Sequence, residues 1–596
     1  MPPDCAGCGS AAPSPIRRLW HRGRLRVNVT ACLRGRSALA NGCDAAIVHD
    51  RTGSAEGHVN QQVDTIVLAR RVIPIEGAAA EALAIGAGRV VALGGRDEML
   101  ALRNARTEVV DLGSRVVLPG LIEPHTHPDL CAQCYSWVDV SGFTYSTVAG
   151  VEQALRDAVE RTPAGEWIFA FGLDFMLTPD LGVWDRARLD ALAPHHPLFV
   201  MIQSMHTAFV NSAALRAAGI DETTADPSAG GRYVRDAAGR LTGKVEESPA
   251  MMPFVLALDW SAEAWAGRMR DQFVRYSRAV ITTLGMTGMF VPAPYLDVYE
   301  SVSGTAPLRT AAYLRLEQVS TSRWTPGSGS DRFRVQGAKL WYDGSAYSGT
   351  MLLDDPYLAS DLCCRLGIAP GTTGYAMQDR DVLVPQLRDL LESGWQVLTH
   401  AQGDRAVRET LDIYEDVLGP DGGRRDHRWR IEHVGMISPA DIGRAARLGV
   451  ALSFHIDHVH YYGPELRDHI LGPQRAERLM PVGSAVRGGH RVSLHADSPM
   501  FPPGPLHLIG TAVTRRTRRG DQIGASEAIS VEQALRAVTI DAAWQLRMDD
   551  EIGSLVPGKR ADLTVLAGDP LEVRAADLAS IEVCGTWLDG QPVPQP

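Results

Sequence analysis

The feature that most limits the fold of this chain is a set of chemically reactive side chains that each follow a short β-prone segment. The apolar run from Val116 to Ile122 predicts a buried strand, and His125 and His127 follow at its end. Similar segments close at four later positions, which are Lys339, His400, His433 and Asp497. A parallel α/β barrel presents the carboxyl ends of its strands on one face, where catalytic side chains converge. The sequence therefore predicts a barrel that gathers these six residues at one end.

The residue types at these positions favour a metal centre. His125 and His127 are two residues apart, and such side chains point the same way from an extended segment, so both can hold one ion. Neutral imidazoles suit Zn²⁺ and related ions, and Asp497 supplies a hard oxygen ligand. Any one of the histidines alone also fits a buried, hydrogen-bonded core residue. All six in this order favour metal binding.

Seven segments of the chain together resemble the amidohydrolase superfamily, specifically its metal-dependent hydrolases that include the N-substituted formamide deformylases. They are PGLIEPHTH, HTAFVNSAAL, GAKLWYDGS, HAQGDRA, RIEHV, HADSP and GSLVPGKRADLTVL. The resemblance runs from about Val63 to the C-terminal region, with the segments in the family's order. It implies an α/β fold, namely a distorted (β/α)8 TIM barrel with a small composite β-sandwich built from both chain ends.

The resemblance also implies a centre of one or two divalent ions, with Zn²⁺ expected. One ion would be held by His125, His127 and Asp497 and the other by His400 and His433. Lys339 would be carboxylated, and its carbamate would bridge two ions. The ordinary alternative for Lys339 is an ion pair with the nearby Asp343, which would leave a single ion.

The reaction implied is hydrolysis of a non-peptide C–N bond, of the amide, N-formyl or N-acyl type, by a metal-bound hydroxide. Asp497 would be the catalytic residue, because it can accept the proton of the hydroxide and pass it to the leaving nitrogen. A deaminase or an ester or lactone hydrolase would use the same ions. Outside enzymes, a regulatory or scaffold protein with an inactive barrel is the alternative, but such a chain is expected to have lost ligands.

Three further histidines are interpreted as substrate-binding residues, and a structural role is the alternative for them. His206 matches a family histidine that faces the substrate, but Ser204 and Met205 replace the acidic residue and glycine that commonly precede it. Its partner is therefore left open. His458 follows the next predicted strand end, where it would line the pocket. His495 stands two residues before the predicted aspartate ligand, where it would point into the same mouth and narrow the substrate range.

Residues next to two of the predicted ligands are interpreted through strand and helix geometry. Asp404 and Arg405 follow the strand of His400 and are expected to orient the site from behind the ligands, with a salt bridge at a helix start as the alternative. Glu432 precedes His433 and points to the opposite face if the strand is regular. It is therefore expected to be structural.

Composition excludes several partner classes. The chain has 596 residues and a formal net charge of -11 without a long basic run in its body, which argues against nucleic acid and favours a small-molecule amide substrate. No apolar stretch reaches the length of a bilayer span, so no membrane partner is expected. Nine cysteines in so long a chain give no disulfide framework, which favours a reducing cytoplasm. The oligomeric state stays open, with a homodimer as one candidate.

The chain is expected to divide into three parts. Residues 1–60 are rich in Arg, Gly and Ala and are predicted to be a disordered extension or the product of an upstream start codon. Residues 61–118 and 548–596 would form the composite sandwich, and residues 119–547 the barrel. A Gly- and charge-rich segment at about 221–248 predicts a hairpin insertion, either a lid over the mouth or a surface loop. Ser530 and Gln533 predict a capping box at a helix start.

Overall fold

The computed structural model describes residues 62–227, 231–290, 295–420 and 422–594, and the predicted disordered extension at 1–60 lies outside them. Within the described residues, eight parallel strands form a nearly closed barrel. They are β1 (Leu121–Thr126), β2 (Ile281–Thr287), β3 (Arg309–Arg315), β4 (Phe333–Trp341), β5 (Gln396–Ala401), β6 (Arg430–His433), β7 (Ala451–Phe454) and β8 (Val492–Leu494). Each strand is hydrogen-bonded to the next. The predicted barrel is therefore confirmed.

Hydrogen bonds beyond the last strand draw β8 toward β1. The backbone N–H of His127, just after β1, donates to the carbonyl of Ser498, just after β8, over 2.9 Å. The backbone N–H of Ala496 donates to the carboxyl of Glu123 in β1 over 3.2 Å. Both contacts lie at the carboxyl end of the strands, so the barrel is tied together at the end that carries the predicted ligands.

Helices alternate with the barrel strands, as the βα pattern predicts. The main ones are Ala262–Arg278, Tyr295–Ser303, Arg380–Glu392, Asp404–Leu418, Pro439–Leu448, Val482–Arg487, Pro505–Thr514, Val531–Ala537 and Ile540–Gln545. The helix Asp404–Leu418 buries Val407, Leu411, Tyr414 and Leu418, which recur at the spacing of one helical face. Among the described helices, none is long and apolar enough to cross a bilayer.

The capping box predicted at Ser530 is present: its hydroxyl accepts from the N–H of Gln533, whose side chain accepts from the N–H of Ser530. The segment that follows forms two helices, since Thr539 leaves the helical region with φ -135° and ψ -102°. Val538 and Thr539 therefore separate the two helices.

Strands from both chain ends meet in one eight-stranded sheet. They are Thr65–Val72, Ala80–Gly86, Arg89–Gly94, Glu108–Asp111, Val116–Pro119, Leu563–Leu566, Val583–Leu588 and Gln591–Pro592. Leu563–Leu566 lies between Val116–Pro119 and Val583–Leu588 and runs antiparallel to both. Alternate residues of the first strand pack into two different apolar clusters, one on each face. The described strands therefore form a single sheet with two buried faces.

A second sheet, which we call the insertion sheet, lies in the chain between β1 and β2. Its strands are Val138–Asp139, Ile168–Leu173, Leu198–Ile202, Thr207–Val210, Arg232–Arg235 and Leu241–Glu246. The last two form an antiparallel hairpin at the edge of this sheet, inside the segment predicted as a hairpin insertion. The sequence pattern gave no sign of the other four strands as an insertion, because a buried strand followed by a helix looks the same in a barrel and in an insertion.

Candidate metal centre

The structure brings the six predicted ligands together at the carboxyl end of the barrel. His125 lies in β1, Lys339 in β4, His400 in β5 and His433 at the end of β6, while His127 and Asp497 follow β1 and β8. The imidazole rings of His400 and His433 are 4.2 Å apart between centroids, and those of His125 and His433 are 4.6 Å apart. Side chains separated by up to 372 positions in sequence thus share one cluster.

Asp497 faces the two histidines of the first pair. Its Oδ1 is 3.4 Å from Nε2 of His125 and 3.1 Å from Nε2 of His127. Among the described residues, the same Oδ1 is buried and has no hydrogen-bond partner, although a buried carboxylate oxygen normally has one. Its other oxygen, Oδ2, lies 3.8 Å from Nδ1 of His433. Three imidazole nitrogen atoms therefore surround this carboxylate, and its Oδ1 has no hydrogen-bond partner among the described residues.

Lys339 is fully buried among these groups. Its Nζ lies 3.4 Å from Nε2 of His125. In the part of the chain that the structure describes, it forms no ion pair, and Asp343 instead accepts from the backbone N–H groups of Leu352, Gln402 and Gly403. The alternative pairing of Lys339 with Asp343 is therefore wrong. Burial lowers the pKa of Lys339 to about 8, so the neutral amine is accessible near neutral pH.

The three fully enclosed imidazoles are held in their neutral form. Burial is the main cause that lowers the pKa of His125, His400 and His433 well below the usual value, and neighbouring cationic groups add to it. His400 Nε2 lies 3.1 Å from the carbonyl oxygen of Gly344, to which it can donate. That bond leaves Nδ1 of His400 with its lone pair. Neutral imidazole is the form that binds a metal ion.

The donor set fits one or two divalent metal ions. Ligand atoms of His125, His433 and Asp497 all lie within 4.8 Å of one another. Nitrogen and carboxylate oxygen are the donors that Zn²⁺ and related ions prefer. The unbonded Oδ1 of Asp497 and the neutral histidines beside it have lone pairs that can bind a metal ion. The residues present therefore suit the metal that the sequence predicts.

Glu432 supports the centre and does not face away from it. Its Oε2 lies 2.5 Å from Nδ1 of His125, and its other oxygen pairs with the fully buried Arg430. The expectation of an outward side chain is wrong because His433 has φ +73°, which ends the strand alternation and lets Glu432 and His433 both face the interior. A carboxylate on the far nitrogen fixes the tautomer of a ligating histidine and raises its basicity.

Glu123 is a second buried carboxyl group that the sequence reasoning missed. It stands two residues before His125 in β1 and therefore shares its face. Burial raises the pKa of Glu123 well above its usual value, and the backbone N–H groups of His125 and Ala496 oppose this shift by donating to the carboxyl. The alternation along β1 was the signal in sequence that could have identified this residue.

Comparisons with known proteins give the family and the fold of the chain. Residues 108–594 match the model of the amidohydrolase family. The chain belongs to this family. An N-substituted formamide deformylase of Arthrobacter pascens is 27% identical over 87% of this chain and 96% of its own length. Protein LONG AFTER FAR-RED 3 of Arabidopsis thaliana is 28% identical over 86% of this chain and 88% of its own. An uncharacterized metal-dependent hydrolase of Pyrococcus horikoshii has the same fold, with a TM-score of 0.68 at 21% identity over 86% of this chain and 99% of its own.

His206 of this amidohydrolase lies on the insertion sheet side of the centre. Its Nδ1 is 3.2 Å from a carboxylate oxygen of Glu247, and 40% of its side chain is exposed. The partner that the sequence left open is thus Glu247, which follows the hairpin. Met205, which precedes His206, and Glu247 itself have φ +64° and +65°, so the pair involves two non-glycine residues with positive φ. Such strain is often found at functional sites.

His495 of the amidohydrolase lies deeper than the sequence predicts. It is fully buried, with Nε2 3.2 Å from Nδ1 of His433 and Nδ1 2.9 Å from the hydroxyl of Ser453. It therefore contacts the ring of His433 in the buried interior and does not narrow the opening of the site to the substrate. His458 is also buried, and its ring stacks on Tyr347 at 5.9 Å. It has an Nε2 without a hydrogen bond.

His455, which precedes His458 by three residues, comes nearer to the centre than His458 does. Its Nε2 lies 2.9 Å from the carbonyl oxygen of Ala496. Its Nδ1 is buried without a hydrogen bond and lies 3.8 Å from Oδ2 of Asp497. His455, which is not among the predicted site residues, therefore lies directly beside the predicted ligand Asp497.

Asp404 and Arg405 do not support the centre as the sequence interpretation had it. Asp404 begins the helix Asp404–Leu418 and accepts from the backbone N–H groups of Asp354 and Arg405. The guanidinium of Arg405 donates to Glu409 one turn later over 2.8 Å. Within the described contacts, neither side chain touches a predicted ligand. The alternative of a salt bridge at a helix start is the one that the structure supports.

Proposed function

We propose that this amidohydrolase cleaves a non-peptide C–N bond, of the amide, N-formyl or N-acyl type, with the help of one or two divalent metal ions. The observation that carries the proposal is Lys339, a buried lysine without an ion pair that stands among neutral imidazoles and an unbonded carboxylate oxygen. Carboxylation of its Nζ would give this position two oxygen donors. The formamide deformylase of Arthrobacter pascens supports the choice of an N-formyl or related bond.

Each ligand position has its own part in this scheme. His125, His127 and Asp497 would hold one ion, and His400 with His433 the other, with Lys339 between them. When bound, such ions lower the pKa of water and polarise the carbonyl oxygen of the substrate. Glu432 keeps the Nε2 of His125 directed at the centre by accepting from its Nδ1. His495 contacts the ring of His433 and holds it in place, with its Nε2 3.2 Å from Nδ1 of His433.

Asp497 is the group placed to move protons. It is the carboxylate that faces His125, His127, His433 and His455, and 16% of its side chain is exposed. It can accept the proton of the attacking water and later deliver that proton to the nitrogen of the leaving amine. The amine then departs neutral, and a carboxylic acid is the second product.

In the test, purified protein is treated with Zn²⁺ and bicarbonate. It is then assayed for hydrolysis of a panel of N-formyl and N-acetyl amines. We expect stoichiometric metal and release of acid and amine in equal amounts. His400→Ala should lose both metal and activity. The matched control is His490→Gln, because His490 lies outside the centre and its Nε2–H donates to the carbonyl of Ile442. Release of ammonia would instead indicate a deaminase. A protein without stoichiometric metal and without activity after this treatment would contradict the proposal and favour an inactive barrel.

A further inference from the structure

The rim beside β3 and β4 carries an arginine that the hydrolytic chemistry above does not use. Arg315 is the last residue of β3 and lies in register with Lys339 of β4. Residues in register on neighbouring parallel strands project their side chains to the same face of the sheet. The guanidinium of Arg315 therefore extends from the face on which Lys339 reaches the metal centre.

Two aromatic rings fix the position of this guanidinium. Its carbon lies 5.4 Å from the ring centre of Phe290 and 5.5 Å from that of Trp341, within the range of cation–π contacts. The same rings also touch the centre, since Phe290 is 5.2 Å from the ring of His127 and Trp341 is 5.2 Å from Nζ of Lys339. One aromatic side chain thus separates Arg315 from the predicted ligands.

The backbone makes room for this arrangement at Gly288. A Cβ at this position would lie 2.6 Å from a ring atom of Trp341, and the residue has φ +86°, which favours glycine. A glycine is therefore required where the indole of Trp341 packs between Arg315 and Lys339.

Arg315 is weakly neutralised compared with other arginines of the barrel. Its counter-ion is Glu317, whose side chain is 60% exposed, and exposed pairs contribute about 0–1 kcal/mol. Arg430, in contrast, pairs with a carboxylate that is fully buried. The side chain of Arg315 is 34% exposed, and its Nε is buried and has no hydrogen-bond partner in the part of the chain that the structure describes. An incoming carboxylate can replace Glu317 and form two parallel hydrogen bonds with the fork of the guanidinium.

We propose that Arg315 binds a carboxylate of the substrate, with Phe290 and Trp341 flanking the carbon chain beside it. The substrate would then be an N-formyl or N-acyl compound that carries a carboxylate about one aromatic side chain away from the bond that is cleaved. This inference rests on the hydrolytic function proposed above and names its substrate class. Arg315 is a specificity-determining residue in this view, since it touches the substrate away from the reacting atoms.

The experiment compares N-formyl derivatives of the unbranched ω-amino acids, from glycine to 6-aminohexanoate, with the N-formyl alkylamines that lack only the carboxylate. For the wild type loaded with Zn²⁺, kcat/KM of the best acid should exceed that of its matched amine by about 10- to 100-fold, the range for hydrogen bonds to a charged group. Arg315→Met should remove this preference through a higher KM, with metal content as in the wild type. Arg315→Lys should retain part of it.

Arg323→Met is the matched control for loss of a stacked arginine. The guanidinium carbon of Arg323 lies 4.3 Å from the ring centre of Trp324, and Arg323 pairs with the exposed Asp297. Within the described contacts it touches neither Phe290 nor Trp341. Equal kcat/KM for acids and amines in the wild type would overturn the inference, as would an unchanged preference in Arg315→Met. If the metal-loaded wild type hydrolysed neither series, the proposed function would fail instead. Calorimetric binding of the N-formyl amino acids to wild type and Arg315→Met would then decide, since equal affinity would overturn the role of Arg315 and a 10-fold loss would support it.

Discussion

The contact between Glu432 and His125 gives a prediction with two separable parts. Glu432→Gln preserves the shape of the side chain but removes the charge that lies 2.5 Å from Nδ1 of His125. Loss of such a partner typically weakens metal binding by about 10- to 100-fold, which corresponds to about 1.4–2.7 kcal/mol. The guanidinium of Arg430 is fully buried against the same carboxylate. Removing one partner of a buried ion pair costs about 3–5 kcal/mol of folding stability.

The two parts are measured by different assays. Zinc affinity is determined by competition with a chelator, and the free energy of unfolding of the metal-free protein is determined in urea. The double variant Arg430→Met with Glu432→Gln removes the unpaired charge and should regain much of the stability while zinc affinity stays low. The structure also offers a matched control in Asp562→Asn, which breaks the buried pair of Asp562 with Arg309 away from the centre.

The control separates a local effect on the metal from a general loss of stability. Asp562→Asn should lower the free energy of unfolding, though by less than Glu432→Gln because Arg309 keeps its pair with Asp589, and should leave zinc affinity unchanged. Zinc affinity of Glu432→Gln within twofold of the wild type would refute the reasoning, because it would show that the carboxylate does not tune His125. An equal loss of zinc affinity in both variants would refute it as well.

Four shorter predictions concern the centre and its rim. Asp497→Asn should lose turnover by at least 100-fold, within the usual range for a general acid–base group, while at least one metal ion per chain remains; near-normal kcat would contradict the proton-transfer role. Lys339→Met should bind fewer metal ions per chain by elemental analysis, and unchanged metal content would contradict bridging by this residue. Burial holds the pKa of His125, His400 and His433 below that of the unfolded chain, so the unfolded state takes up protons first as the pH falls. Below pH 6.5 the free energy of unfolding of the metal-free protein, measured in urea, should fall by up to about 1.4 kcal/mol per histidine per pH unit. A free energy of unfolding that stays constant from pH 7.5 to 5.5 would contradict this. Gly288→Ala should lower stability by about 1–3 kcal/mol through overpacking against Trp341, and an unchanged urea midpoint would show that the indole moves freely.

The barrel and the clustering of the six predicted ligand residues could be predicted from sequence because each of these residues closes its own β-prone segment. In a parallel barrel this local property decides the tertiary position, since all carboxyl ends meet on one face. His125, Lys339 and His400 needed only the strand assignment to be placed. Glu432 was misplaced because its direction was judged relative to His433. The positive φ of His433 turns that histidine to the same face as Glu432, and the sequence pattern does not show it.

Contacts that depend on antiparallel strand pairing could not be predicted from the sequence. His206 meets Glu247 because Thr207–Val210 pairs with Leu241–Glu246, and that register brings together residues 41 positions apart. The insertion sheet was missed for a related reason. Its strands Ile168–Leu173 and Leu198–Ile202 are buried and parallel, so their hydrophobic runs look like barrel strands.

The sheet built from both chain ends has a consequence for synthesis on the ribosome. The strand Val116–Pro119 ends one residue before the barrel begins, but its partner Leu563–Leu566 is made only after the whole barrel has been translated. Until then one edge of the N-terminal strands offers unpaired backbone groups, which are prone to join other chains. The last strands to be made therefore pair with the open edge of the first-made strands, and this pairing protects that edge from other chains.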